Sequence, residues 1–205
     1  MDSIIFDLDG TLWDSTDTVV VAWNSVLENY KEDISPITAE DLQGVMGLQI
    51  EEVGRRLLPN VEAERQHKIL IECCDAENES LVKRGGKLYP NLEPVLIALS
   101  RKYKLFIVSN CQEGYIESFF AYHQVGGYFT DYENPGRTGL SKGENIKLVM
   151  ERNQLKSPVY VGDTEGDHKA ALFAGIPFIY ARYGFGEASG YDDAIDRLDG
   201  LLELF

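Results

Sequence analysis

The chain of 205 residues is 44% hydrophobic and 26% charged, and its formal net charge is −15 at pH 7. This length and composition fit one ordinary soluble globular unit and exclude disordered, fibrous and membrane-embedded classes. Because the negative field repels polyanions, nucleic acid and membrane surfaces are excluded as partners, whereas a small phosphorylated molecule fits wherever cations are concentrated.

Short apolar runs that predict strands recur along the chain, and a loop follows each of them. These runs are Ser3 to Leu8, Lys104–Val108, Pro158–Val161 and Pro177–Tyr180. Between them lie four helical patterns, at Glu93–Arg101, Tyr115–His123, Ser141–Arg152 and Glu165–Ala174. The alternation predicts a doubly wound parallel sheet, which is a Rossmann-like three-layer α/β core.

The segment between the first strand and the rest of the α/β pattern has helical periodicity alone. Its apolar residues repeat at helical spacing from Val19 to Tyr30, from Ile50 to Leu58 and from Ile69 to Leu81. We therefore expect an all-helical cap domain over residues 16–85, inserted into a core domain of residues 1–15 and 86–205. Residues 16–85 are called the cap segment below.

The motif with the clearest chemical meaning is Asp7-Leu8-Asp9-Gly10-Thr11 at the end of the first predicted strand. Residues i and i+2 of a strand share one face, so the carboxylates of Asp7 and Asp9 lie side by side. Two like charges this close need a shared proton or a bound cation between them. A plain Asp-Gly turn with solvated acids is the alternative.

A second acidic pair, Asp163 and Asp167, follows the strand that begins at Pro158. Residues four apart share a helix face, and acids at the start of a helix can also simply cap it. Since parallel sheets bind ligands at the carboxyl ends of their strands, both pairs can converge on one cation. Carboxylate and carbonyl oxygens are the ligands that Mg²⁺ prefers.

Candidate phosphate ligands stand at the same predicted edge of the sheet. Ser109 and Asn110 follow the strand Lys104–Val108, and their hydroxyl and amide can hold phosphoryl oxygens. Lys142 begins the helix that precedes the strand leading to Asp163, where it can either neutralise a phosphate or remain solvated.

Taken in chain order, the four motifs resemble the haloacid dehalogenase-like superfamily: Asp7 to Thr11 first, then Ser109-Asn110, then Lys142, and last the pair Asp163 and Asp167. The match extends over nearly the whole chain. The early helical segment resembles the cap of its phosphoglycolate phosphatase and beta-phosphoglucomutase group. One departure is the lysine context, which is Gly139-Leu140-Ser141-Lys142-Gly143 where many relatives have Gly-Lys-Pro.

The resemblance implies a role for each matched residue. Asp7 is expected to be the nucleophile that forms an aspartyl-phosphate, and Asp9 the general acid/base. The expected phosphate ligands are Ser109, Asn110, Lys142 and Thr11. The expected ligands of a Mg²⁺ cofactor are Asp7, Asp9, through its backbone carbonyl, Asp163 and Asp167.

The function predicted from the sequence is therefore a magnesium-dependent phosphatase acting on a small phosphomonoester such as phosphoglycolate, a sugar phosphate or a nucleotide monophosphate. A phosphosugar mutase is the alternative, since it needs the same Asp7 and Asp9. A non-catalytic protein on this scaffold has no need for the complete set of site residues. The cysteines Cys73, Cys74 and Cys111 form no disulfide framework, and no basic leader precedes Ile4, so we expect a cytoplasmic protein. We expect it to be a monomer or a homodimer.

Overall fold

The computed structural model describes residues 1–205. Eight strands are present: β1 (Ser3–Phe6), β2 (Trp13–Asp14), β3 (Lys87–Leu88), β4 (Lys104–Val108), β5 (Phe129–Glu133), β6 (Pro158–Gly162), β7 (Phe178–Ala181) and β8 (Asp193–Ile195). Ten α-helices are present: α1 (Thr16–Leu27), α2 (Ala39–Gln43), α3 (Ile50–Leu57), α4 (Ala63–Arg84), α5 (Leu92–Ser100), α6 (Tyr115–His123), α7 (Pro135–Thr138), α8 (Lys142–Arg152), α9 (Glu165–Ala174) and α10 (Leu201–Leu204). No helix is both long enough and apolar enough to cross a lipid bilayer.

Six strands form one parallel sheet in the order β5-β4-β1-β6-β7-β8. The first strand lies at its centre, where it pairs in parallel with β4 on one side and β6 on the other. Because β1 is wholly buried, its residues read as a continuous apolar run. The predicted α/β fold with a parallel sheet is confirmed.

The two faces of the sheet pack against different helices. Along β1, Ile4 and Phe6 join the apolar cluster that includes α5 and α6. Ile5, between them, points to the opposite face and joins the residues of α8 and α9. This alternation follows from the two-residue period of a strand, and it produces the three layers.

The cap segment contains helices α1 to α4 and no strand. The two-stranded antiparallel pair β2 and β3 brackets it, with Trp13 opposite Leu88 and Asp14 opposite Lys87. Helix α4 ends at Gly85, whose φ of +63° is a conformation that other residues adopt only with strain. The division into core and cap domains at residues 15/16 and 85/86 stays a prediction.

Candidate active site

The candidate site is built at the carboxyl ends of three neighbouring strands. Asp7 directly follows β1, Ser109 follows β4, and Asp163 follows β6. Because these strands are adjacent and parallel, their ends bring residues far apart in the chain to one edge of the sheet. The side chains are deeply buried: Asp7 is 1% exposed, Asp163 and Asp167 are 0% exposed, and Ser109 is 3% exposed.

Lys142 joins two of these carboxylates. Its Nζ donates to Asp7 Oδ1 at 2.8 Å and to Asp167 Oδ1 at 2.6 Å, and the lysine itself is 5% exposed. It is the first residue of α8, which begins with a capping box between Ser141 and Glu144. The solvated alternative for Lys142 is therefore wrong, although the Gly-Lys-Pro context is missing.

Backbone and hydroxyl donors fix the late acidic pair. Asp167 Oδ2 accepts from the backbone N–H of Thr164 at 2.9 Å and from its hydroxyl at 2.7 Å, which makes it part of the cap of α9. Asp163 Oδ2 accepts from the backbone N–H of Phe185 at 2.7 Å. The Thr11 hydroxyl lies 3.5 Å from Asp163 Oδ1, so Thr11 contacts this aspartate in the structure. Its predicted role as a phosphate ligand stays a prediction.

Three aspartates crowd a region that holds one lysine. Burial and the neighbouring Asp167 raise the pKa of Asp7 to about 7, although Lys142 acts in the opposite direction. Burial and Asp167 likewise raise the pKa of Asp163 well above its usual range. Such raised values indicate a deficit of positive charge at the cluster.

The cluster has the donors that a divalent cation needs. Asp7, Asp163 and Asp167 each offer a carboxylate oxygen, and these atoms lie within 4.8 Å of one another. An all-oxygen, carboxylate-rich donor set suits Mg²⁺, and a cation supplies the positive charge that the buried carboxylates lack. The residues present therefore fit the predicted magnesium ion.

Asp9 lies apart from this cluster and faces a cleft. Its Oδ1 accepts from the Ser15 hydroxyl and from the Tyr115 hydroxyl, both at 2.8 Å. Burial raises the pKa of Asp9 to about 6, while hydrogen bonds from Ser15 and Tyr115 act in the opposite direction. A carboxyl group with such a pKa can both give and take a proton near neutral pH.

A cleft of about 670 Å³ separates the cap segment from the core, and Asp9, Ser109 and Asn110 are among its lining residues. Asn110 Nδ2 donates to the Gly47 carbonyl of the cap segment at 2.8 Å, so the two parts of the chain touch directly above the sheet edge. The Oδ1 atom of Asn110 is buried without a partner in the protein. The predicted phosphate contacts of Ser109 and Asn110 stay predictions.

Sequence reasoning missed three residues at this site: Ser15, Tyr115 and Glu77. Tyr115 is 106 positions from Asp9 and has no local signal that marks it as its partner. Glu77 did have a sequence signal, because Cys73, Glu77 and Leu81 are spaced four apart on the buried face of α4. A carboxylate within an apolar stripe of a helix is the feature to look for.

Together, the parallel sheet and the buried aspartate-lysine cluster are typical of an α/β enzyme that binds its ligand at the carboxyl edge of the sheet. The chain belongs to the haloacid dehalogenase-like hydrolases, whose family profile matches residues 4–181. It is a phosphatase-type enzyme of that family, as its sequence predicts.

Known relatives agree with this assignment. A phosphoglycolate phosphatase of Vibrio vulnificus is 27% identical over 98% of this chain and 94% of its own length. Among solved structures, a haloacid dehalogenase-like hydrolase from Streptococcus pneumoniae has a TM-score of 0.88 at 20% identity, covering 100% of this chain and 98% of its own. A beta-phosphoglucomutase from Clostridium difficile has a TM-score of 0.75 at 15% identity, covering 98% and 93%. The two structures share the fold.

Proposed function

We propose that the protein is a magnesium-dependent phosphatase that hydrolyses a small phosphomonoester through an aspartyl-phosphate on Asp7. The observation that carries the proposal is the buried cluster in which Lys142 joins Asp7 to Asp167 while Asp9 faces the adjacent cleft. This arrangement provides a nucleophile, a separate proton donor and a cation at one edge of the sheet.

In the first step, a carboxylate oxygen of Asp7 attacks the substrate phosphorus. The bond between phosphorus and the ester oxygen breaks, and the departing alkoxide takes a proton from Asp9. Lys142 orients Asp7 through a hydrogen bond at 2.8 Å and neutralises part of the charge that collects on the phosphoryl oxygens. The hydroxyl of Ser109 and the side-chain amide of Asn110 would hold the same oxygens.

In the second step, Asp9 is ionised and accepts a proton from a water molecule that attacks the phosphorus. The bond between Asp7 and phosphorus breaks, inorganic phosphate leaves, and both aspartates return to their starting states. One residue can serve both steps because its pKa of about 6 lies near neutral pH.

Asp7, Asp163 and Asp167 would hold the magnesium ion, together with the backbone carbonyl of Asp9. When bound, the ion supplies positive charge that offsets the negative charge of the phosphoryl group. The backbone N–H of Phe185 and the hydroxyl of Thr11 keep Asp163 pointed at the cluster.

The substrate is a small molecule, since the cleft of about 670 Å³ has the size of a metabolite site and the cap segment contacts the core beside it. The similarity to a phosphoglycolate phosphatase supports phosphoglycolate as one candidate, and sugar phosphates and nucleotide monophosphates are the others. A folded phosphoprotein does not fit such a cleft.

The test is phosphate release from a panel of small phosphomonoesters, with and without magnesium, by the wild type and by Asp7→Asn. We expect activity that requires both magnesium and Asp7. Asp17→Asn is the matched control, because it removes the same charge from an exposed position at the start of α1. Activity that survives in Asp7→Asn would contradict the proposal, as would isomerisation dependent on a bisphosphate in place of phosphate release.

A further inference from the structure

The cleft beside Asp9 lacks strong positive charge. None of its 28 lining residues is lysine or arginine. His67 is the one lining side chain that can become cationic, and it is exposed to solvent. The nearby Lys142 lies beneath the cleft, where it is 5% exposed and already donates to two aspartates.

The two arginines of α3 do not line the cleft and are paired elsewhere. Arg55 and Arg56 are exposed on α3, and both pair with Glu52. The N-terminal turn of α3 faces the cleft, but Glu51 lies in this turn and lines the cleft too. Its carboxylate already complements the positive end of the helix dipole.

Negative and apolar groups line the cleft instead. Besides Asp9, the acidic lining residues are Glu51, Asp75, Glu77 and Glu113. The cap side adds buried apolar side chains, among them Val19, Leu42, Val45 and Leu70. A charged group that enters such a cleft loses water and gains few compensating partners.

Glu77 is buried and is held in place by a hydrogen bond from another residue of the cleft lining. It is 6% exposed, and the indole N–H of Trp23 donates to its Oε2. Both residues line the cleft from the cap segment, Trp23 from α1 and Glu77 from α4. In either protonation state, Glu77 provides no positive charge, and its carboxyl oxygens accept hydrogen bonds from hydroxyl or ammonium groups.

We propose that this enzyme acts on phosphomonoesters whose leaving group is a small polyol or amino alcohol that donates to Glu77, and that it discriminates against leaving groups bearing a carboxylate. This inference rests on the proposed phosphatase activity and narrows its substrate. It also separates this chain from its relatives named phosphoglycolate phosphatase, because glycolate carries a carboxylate into the part of the cleft that has no cation for it.

The physical reason is an electrostatic one. Lys142, and a magnesium ion held by Asp7, Asp163 and Asp167, would serve the phosphate end of any substrate, but a second anionic end would reach the acidic cap side. There, a buried carboxylate loses its water and meets no cation, and the ionised form of Glu77 repels it as well. A hydroxyl or ammonium group at the same position meets an acceptor instead.

The experiment uses three two-carbon esters of similar size: phosphoglycolate, hydroxyethyl phosphate and phosphoethanolamine. Their leaving groups are anionic, neutral and cationic, and kcat/KM is measured for each with magnesium present. We expect phosphoglycolate to be at least about tenfold poorer than the better of the other two. Equal or better turnover of phosphoglycolate by the wild type overturns the inference, whether or not any variant folds.

Glu77→Gln then tests the residue itself, since glutamine retains an acceptor for Trp23 but has no charge. Above about pH 8, where Glu77 is ionised, we expect the variant to reduce the difference between phosphoglycolate and phosphoethanolamine by about tenfold or more. Glu79→Gln removes the same charge from an exposed position of α4 and should leave the ratio as in the wild type. An unchanged ratio in Glu77→Gln overturns the assignment of Glu77.

Para-nitrophenyl phosphate separates this inference from the proposed function. If it and the three esters all resist magnesium-dependent hydrolysis, the phosphatase proposal is wrong and the substrate inference falls with it. If para-nitrophenyl phosphate is hydrolysed and phosphoglycolate is the best ester, only the substrate inference is wrong.

Discussion

Replacing Glu77 with glutamine should make the stability of the protein depend less on pH. Glu77 is 6% exposed, and burial raises its pKa from an ordinary 4.5 to about 8, with the charge of Asp9 adding to the effect. The hydrogen bond from Trp23 favours the ionised form and partly opposes burial. The folded protein therefore holds a proton on Glu77 over a range of pH in which the unfolded chain has lost it.

The direction of the effect follows from that difference in proton binding. Below about pH 4.5, Glu77 is protonated in both the folded and the unfolded state, so its burial does not lower the free energy of unfolding. As pH rises towards 8, the folded state binds more protons than the unfolded state, so the free energy of unfolding falls. Above pH 8, both states are ionised and the full cost is present, on the order of 5 kcal/mol at about 1.4 kcal/mol per pKa unit.

The measurement is thermal or urea unfolding of the wild type and Glu77→Gln between about pH 5 and pH 9, in the same magnesium-containing buffer. The variant should gain stability relative to the wild type as pH rises, reaching several kcal/mol, or on the order of 10 °C in Tm, at the alkaline end. Other titrating groups are common to both proteins and largely cancel in the difference.

Glu79→Gln is the control, because it removes an exposed charge from the same helix. Its difference from the wild type should stay within about 0.5 kcal/mol at every pH. A difference between wild type and Glu77→Gln that does not change with pH would refute the reasoning. Glu77 would then be ionised at neutral pH in the folded protein, and a counter-charge would have to lie beside it.

Two further predictions concern the sheet edge. A methyl group at Gly10, where φ is +78°, would lie 2.2 Å from Asp163 Oδ2, so Gly10→Ala should raise the magnesium concentration for half-maximal activity about tenfold or more. The control is Gly175→Ala, where φ is +75° but the added methyl group meets open space, and this variant should leave that concentration unchanged. Equal effects of the two substitutions would contradict the argument. Tyr115→Phe removes a hydroxyl that donates to Asp9, the proposed general acid/base, so kcat should fall about tenfold with little change in KM. Tyr122→Phe, on the exposed side of α6, should retain activity. An unchanged kcat in Tyr115→Phe would exclude a positioning role.

The central strands of the fold could be predicted because a strand that is buried on both faces reads as a continuous apolar run in the sequence. Strand β4 was predicted with its exact bounds, and β1 was predicted two residues too long. The edge strands β5 and β8 were missed. In β5, the sequence Phe-Thr-Asp-Tyr-Glu mixes polar and apolar residues, since the strand is only partly buried, and β8 has three residues.

The candidate site divides in the same physical way. Asp7 and Asp163 stand directly after apolar strands, and Asp9 follows Asp7 by two residues, so local sequence places all three at one edge of the sheet. The contact between Tyr115 and Asp9 depends instead on how α6 packs against the first loop, which no local pattern encodes. Lys142 lies between these cases, because its position was predicted but its burial and its pairing come from tertiary packing.

Burial raises the pKa of Glu77, and no lysine or arginine lines the cleft to offset that burial; the predicted rejection of carboxylates rests on the same missing cation on the cap side of the cleft. An ammonium group on the substrate would supply that charge, lower the pKa of Glu77 and release a proton on binding. A neutral polyol would leave the pKa raised, and a carboxylate would raise it further. Stability against pH and substrate selectivity are therefore independent measurements of the same missing charge, and a cation near Glu77 would make both predictions fail together.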